Sequence, residues 1–140
     1  MADRKLGIIE ISKLKKAPSL MRDNVHLTSV DCPFPELTDG TSMFEGCSNL
    51  TSFTSSDLGK LQNGECFLYG TNISQFTTDL PSLTNADGMF FLCNSLTTVR
   101  SNMPLLGSGG SGKTLSLPDS VTTFEGSLES VTSFTLPTNI

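Results

Sequence analysis

Apolar residues return along this chain every 23 positions. Leu27, Leu50, Ile73 and Leu96 form one column, and Val30, Phe53, Phe76 and Val99 follow each of them in step. Met43, Cys66 and Met89 form a third column, and Phe44, Phe67 and Phe90 a fourth; Cys47 and Cys93 lie two periods apart with Gly70 between them. The polar positions keep time as well, since Asn49 and Asn72 share a column that becomes Ser95. A period of this length marks a repeat architecture in which each unit buries its hydrophobic face only by stacking on its neighbours.

Within each unit the Leu-Thr-Ser-Phe step or its equivalent runs through a polar link to a second apolar pair: Phe34 and Leu37, Leu58 and Leu61, Leu80 and Leu83, Met103 and Leu106. Turn residues follow in Thr38-Asp39-Gly40, Gln62-Asn63-Gly64 and Asn85-Ala86-Asp87-Gly88, which tolerate tight or left-handed backbone. Beyond the turn, Met-Phe or Cys-Phe carries the chain back to the core. One unit has an extra residue in Phe53-Thr-Ser-Ser-Asp-Leu58 and is read as losing one before Cys66, so the period survives. The expected fold is a short leucine-rich-repeat-like solenoid, a right-handed stack with a parallel β-sheet on one face, mostly β and irregular.

The same pattern divides the chain. Residues 1–26 read as an N-terminal cap, with a short strand through Ile8, Ile9 and Ile11 and one helical turn after Ser12 that ends before Pro18. Residues 27–106 hold three to four repeats, and 107–113 form a Gly/Ser connector. Residues 114–140 read as divergent, shorter closing coils: Leu115-Ser-Leu-Pro118 recurs as Phe134-Thr-Leu-Pro137, and Val121-Thr-Thr-Phe124 as Val131-Thr-Ser-Phe134.

Charge separates the parts more sharply than the formal net of −5 suggests. Six of the nine basic residues precede Leu27, whereas residues 27–140 carry three basic residues and eleven of the fourteen acids. An acidic body lacks the Lys/Arg footprint that phosphate backbones require, so nucleic acid is not the expected partner. The longest early apolar stretch, Leu6-Gly-Ile-Ile9, is too short for a signal core or a membrane span, and the chain as written is expected to be cytoplasmic. A chain trimmed of its leader would be surface-exposed or secreted instead. Cys47 and Cys93, two strand spacings apart, are expected roughly 9 to 10 Å from each other, beyond the roughly 7 Å Cα reach of a disulfide. Free thiols suit a reducing compartment.

Catalytic chemistry finds little footing. Gly107-Ser-Gly-Gly-Ser-Gly112-Lys113-Thr114 satisfies the phosphate-loop spacing, but Pro118 and the β-branched residues after it oppose the helix that such a loop must open. His26 is the only imidazole, and no two cysteines have metal-site spacing. Asp57 and Asp79 occupy equivalent turn positions and are read as local backbone acceptors. Neither a catalytic residue nor a cofactor or metal is expected.

The units Met43-Phe-Glu-Gly-Cys47-Ser-Asn-Leu50 and Met89-Phe-Phe-Leu-Cys93-Asn-Ser-Leu96 resemble the Met-Phe-x-x-Cys-x-x-Leu repeat of BspA-like leucine-rich repeat proteins, and Leu117-Pro-Asp-Ser-Val121 resembles their Leu-Pro-x-x-Val segment. The likeness covers most of residues 27–140. It implies a solenoid with a parallel sheet and a role in recognition or adhesion; similar arrays occur in bacteriophage-associated proteins. Two readings follow: a protein-binding module, with a small inhibitor of a host or defence protein as its specific version, and a structural fragment or cap of a surface adhesin or phage tail component; nucleotide binding through residues 107–114 is the third and least favoured reading.

Alternation places the candidate contact residues. With Val30, Phe53, Phe76 and Val99 inward, Asp31, Thr54, Gln75, Thr77 and Arg100 face outward on the strands. Asp31, Gln75 and Arg100 break the Ser/Thr monotony of that ladder and are the first candidates for specificity. Tyr69 and Phe91, just past the Cys-Phe and Met-Phe returns, are the candidate anchors on another edge.

Overall fold

The computed structural model describes residues 12–108, 114–131, 133–135 and 137–140. The proposed strand at Ile8–Ile11 and the glycine-rich core of the phosphate-loop pattern, including Lys113, lie outside the described residues. Among those described there is no helix, and the chain is built of short parallel strands joined by turns: β1 Ser29–Asp31, β2 Ser52–Thr54, β3 Gln75–Phe76, β4 Thr98–Arg100, β5 Thr114–Ser116, β6 Thr123–Glu125 and β7 Ser133–Thr135. Each repeat-born strand centres on a β-branched or aromatic residue that is buried while its flanks are polar, the alternation that a one-sided sheet requires.

Pairing follows the period. β1 pairs with β2 as Ser29 with Ser52, Val30 with Phe53 and Asp31 with Thr54, and β3 pairs with β4 as Gln75 with Thr98 and Phe76 with Val99, each an offset of 23. β4 then pairs with β6 through Val99 and Phe124. The divergent tail behaves as its internal likeness suggests, because Leu115 of β5 lies opposite Phe134 of β7. The ordered β1-β2 and β3-β4-β6 sheets are interrupted between β2 and β3.

A second ladder lies on the return side of each unit. Lys16, Asp39, Asn63 and Asn85 form a line of parallel bridges, with spacings of 23, 24 and 22 residues. Asp39, Asn63 and Asn85 each accept from the backbone N–H two residues on, at 3.0, 3.1 and 2.9 Å, closing the turn that starts the return. The run from Ser12 is a turn leading into the Lys16 bridge, not a helical one. Ala17, Ser19, Met21 and Asp23 then donate to the carbonyls of Asp39, Thr41, Met43 and Glu45, so the repeat bonding begins upstream of Leu27.

Left-handed backbone recurs in the same rhythm. Ser19, Ser42, Cys66 and Gly88 form one row of positive φ, and Asp23, Gly46, Gly70 and Leu92 another, both again spaced 23, 24 and 22. Gly46 and Gly70, at φ 74° and 72°, take this conformation without the Cβ clash that Asp23 and Leu92 must bear. These rows correct the column assignment made from sequence. Cys66 is equivalent to Ser42, not to Met43, and Phe67 takes the buried place of Met43 and Met89. Thr71, fully buried, stands between Cys47 and Cys93 where Gly70 had been placed. The extra residue at Ser55–Asp57 therefore persists through the whole return limb and is cancelled between Thr71 and Ile73, directly before the sheet interruption.

The core runs the length of the array. Phe53 is its aromatic hub: its ring is stacked on Phe34 at 6.5 Å and on Phe76 at 5.9 Å, and meets Phe44 and Phe67 edge-on, each at 5.7 Å. Both geometries suit the ring quadrupole. Leu27, Leu50, Ile73 and Leu96 are all buried around it.

Candidate functional site

The strand side presents two rows. The outer row runs Asp31, Thr54, Thr77, Arg100 and Glu125, all exposed, with Gln75 exposed in the row beside it. Alternation thus sets the five predicted strand residues on one surface. Arg100 is not free there: its Nε lies 3.1 Å from Oε2 of Glu125, its register partner on β6. The residue after each outward position turns inward again, and sequence reasoning did not separate it from the solvated ladder. Ser55, Thr78 and Ser101 are buried; Thr78 Oγ1 donates to the Ser55 carbonyl at 2.8 Å and Ser101 Oγ to the Thr78 carbonyl at 2.6 Å. Their common 23-residue column, continued from Cys32, was the available signal.

The return limb builds the other surface. The residues that precede the second positive-φ row, Arg22, Glu45, Tyr69 and Phe91, occupy equivalent places but change chemistry along the row. At one end Arg22 Nη2 meets Glu45 Oε2 at 3.0 Å; at the other the Tyr69 and Phe91 rings lie 5.2 Å apart at a 47° tilt. Phe91 is 52% exposed, while the other eight phenylalanines are buried or half-buried. Leu92 beside it is 48% exposed and has a φ of 59°, a left-handed conformation uncommon for a leucine. The structure therefore joins Tyr69 to Phe91 and assigns Asp31, Thr54, Gln75, Thr77 and Arg100 to a separate strand surface.

Phe91 and Leu92 also form one wall of a cleft of about 420 Å³. Its other wall is Leu117 and Pro118, just beyond β5, and Asn94 and Asp119 are polar members of its lining. The tail is held against the array by Thr122 N–H donating to the Thr97 carbonyl and by Ser120 Oγ at 3.5 Å from the Cys93 carbonyl.

The remaining sequence candidates take structural roles. All four cysteines are free thiols. Cys47 Sγ donates to the Met21 carbonyl and Cys93 Sγ to the Leu68 carbonyl, both at 3.0 Å, and Thr71 Oγ1 lies 3.5 Å from Cys93 Sγ. Burial pushes the Cys32 and Cys47 thiols up to about 11 and raises Cys93 as well. Cys66 is raised by burial first and then by the negative charges of Glu45 and Glu65. Asn49 and Asn72 reach back to the carbonyls of Val25 and Ser48 at 2.7 and 2.6 Å. Asp57 accepts locally from Gly59 N–H at 2.8 Å, whereas Asp79 accepts from Asn102 N–H in the next unit at 3.0 Å. Among the described residues, no group of three His, Cys, Asp or Glu side chains is arranged to hold a metal, and no helix is long and apolar enough to cross a membrane.

Comparisons with protein-family models, with curated proteins and with solved structures find no match to this chain.

Proposed function

We propose that the chain is a short right-handed solenoid of the leucine-rich-repeat type, of the BspA-like kind, and that it serves as a non-enzymatic protein-binding module. Support for the solenoid comes from two parallel ladders, one through the strands and one through Lys16, Asp39, Asn63 and Asn85, that advance by one repeat at each step. Repeat arrays of this kind offer an extended surface whose outward residues vary without disturbing the stack.

The observation that carries the binding role is the exposure of Phe91 and Leu92 beside Tyr69. A chain that buries its other phenylalanines wholly or in part gains nothing in stability from leaving these side chains in water, and clustered aromatic surface is the usual currency of protein recognition. The strand ladder is the lesser candidate, since its one basic residue is already paired with Glu125.

The test is a comparison of three immobilised proteins in a lysate of the organism that carries the gene: wild type, Phe91→Asp, and Gln75→Ala/Thr77→Ala. The reading expects a protein held by the wild type and by the strand variant and lost with Phe91→Asp. Identical proteins retained by all three would remove the aromatic edge from consideration, and loss only with the strand variant would move the site to the sheet.

A further inference from the structure

The cleft between Phe91–Leu92 and Leu117–Pro118 joins two parts of the chain that the repeat period does not relate. Its apolar walls come from a return limb and from the divergent tail. The charged residue of the cleft lining is acidic. Asp119 lies in the cleft lining, Asp87 precedes the Gly88 whose carbonyl accepts the Phe91 N–H, and Glu65 precedes Cys66. A Cβ at Gly88 would stand 3.1 Å from Cys66 Sγ and 3.9 Å from the Tyr69 ring, and the negative charges of Glu65 and Asp87 both act on the Cys66 thiol, which sets these two carboxylates near the return limb that carries Tyr69.

None of these three carboxylates has a cation within ion-pair distance among the described residues. Arg22 is committed to Glu45 at 3.0 Å, Lys60 to Glu36 at 2.7 Å and Arg100 to Glu125 at 3.1 Å. An apolar cleft with an unpaired carboxylate in its lining, and two more on the return limbs that carry Tyr69 and Phe91, is complementary to a segment that carries both an apolar side chain and positive charge. Electrostatic complementarity of this kind sets orientation and association rate, while the apolar anchor supplies the buried area.

We infer that this cleft is the docking groove for a cationic segment of the partner protein, with one aliphatic or aromatic side chain seated between Phe91 and Pro118 and lysine or arginine residues placed over Asp87 and Asp119. The inference rests on the protein-binding reading and adds to it the chemistry of the partner. Fluorescent 12-residue peptides test it, each with a central Leu or Trp between two arginines on either side, set against matched peptides with glutamate in place of arginine.

The arginine peptides should bind saturably to the full chain, at least tenfold more tightly than the glutamate peptides, and should weaken as salt rises. Phe91→Ala should weaken them tenfold or more, and Asp119→Lys should do the same while the melting temperature stays within a few degrees of wild type. Equal binding of the two peptide sets, binding indifferent to Phe91→Ala, or no saturable binding up to millimolar peptide would each overturn the inference. Self-association abolished by Phe91→Asp in sedimentation would also overturn it, since the occupant would then be a second copy. A lysate partner that depends on Phe91 but contacts it through an acidic segment would overturn the charge assignment and leave the binding reading standing.

Discussion

Ser101 donates its hydroxyl to the carbonyl of Thr78, one repeat behind it, at 2.6 Å, and both side chains are buried. Thr78 makes the same bond to Ser55 at 2.8 Å. These hydroxyls link one strand end to the next where the chain leaves the sheet, and the residues whose carbonyls accept are themselves buried. Ser101→Ala should therefore cost about 1 to 3 kcal/mol, the penalty for a buried acceptor left without its donor. Thr78→Val, which keeps the shape and removes the donor, should cost a similar amount. Urea unfolding of each variant against wild type checks this, and a loss confined to a few tenths would show that the column is not structural.

Phe53 and Phe91 are both phenylalanines of the repeat body, yet they should behave oppositely. Phe53 is 4% exposed and its ring touches four others, so Phe53→Ala should destabilise by about 3 to 5 kcal/mol through lost contacts and an unfilled cavity. Phe91, half in water, should lose only about 0.5 kcal/mol when cut to alanine, as surface changes usually do. Thermal melts of the two variants separate these outcomes. A large drop with Phe91→Ala would mean that the ring pair with Tyr69 holds the fold and is not a surface kept for a partner.

The contrast shows what was legible in the sequence. A buried column repeats its apolar identity, so the inward row of Val30, Phe53, Phe76 and Val99 could be read and the parallel register of β1 with β2 and β3 with β4 followed from it. The tail pairing of Leu115 with Phe134 was visible for the same reason. Cys66-Phe67 was misaligned because Cys-Phe imitates Met-Phe, and only backbone conformation tells that Cys66 has the left-handed φ of Ser42. Ser55, Thr78 and Ser101 were hidden because serine and threonine read alike whether solvated or buried. The cleft was hidden because Phe91 and Pro118 belong to no common column.

The one-residue irregularity yields a prediction about deletions. In the third unit, Phe76 reaches Leu80 by the short link, and in the second, Phe53 reaches Leu58 by a link one residue longer, with both ends buried in either case. Removing Ser56, which is exposed, should simply convert the long link to the short one and leave every later residue in place. Removing Thr77 shortens a link that has no residue to spare and pulls Thr78 from its bond to Ser55. The first deletion should change the melting temperature by a few degrees at most, and the second should lower it severely or prevent folding. Equal effects would indicate that the extra residue does not sit at Ser55–Asp57.

Thiol ionisation couples the fold to alkaline pH. Cys32 and Cys47 ionise ordinarily near 9.0, and burial holds both up to about 11 in the folded chain. The neutral thiol is thus favoured by folding, and between these values the folded chain keeps protons that the unfolded chain has released. Stability tied to these groups is complete below pH 9 and is lost as pH rises towards about 11, because folding binds more protons over that window. Urea midpoints measured from pH 8 upward should fall accordingly, and Cys47→Ala should flatten part of that fall. Reactivity should follow the same order. With iodoacetamide at pH 8, Cys66, half-exposed, should label first, and Cys32, Cys47 and Cys93 should wait for unfolding. Rapid labelling of Cys47 in the folded protein, mapped by mass spectrometry, would contradict its place beneath Met21 and the hydrogen bond to that carbonyl.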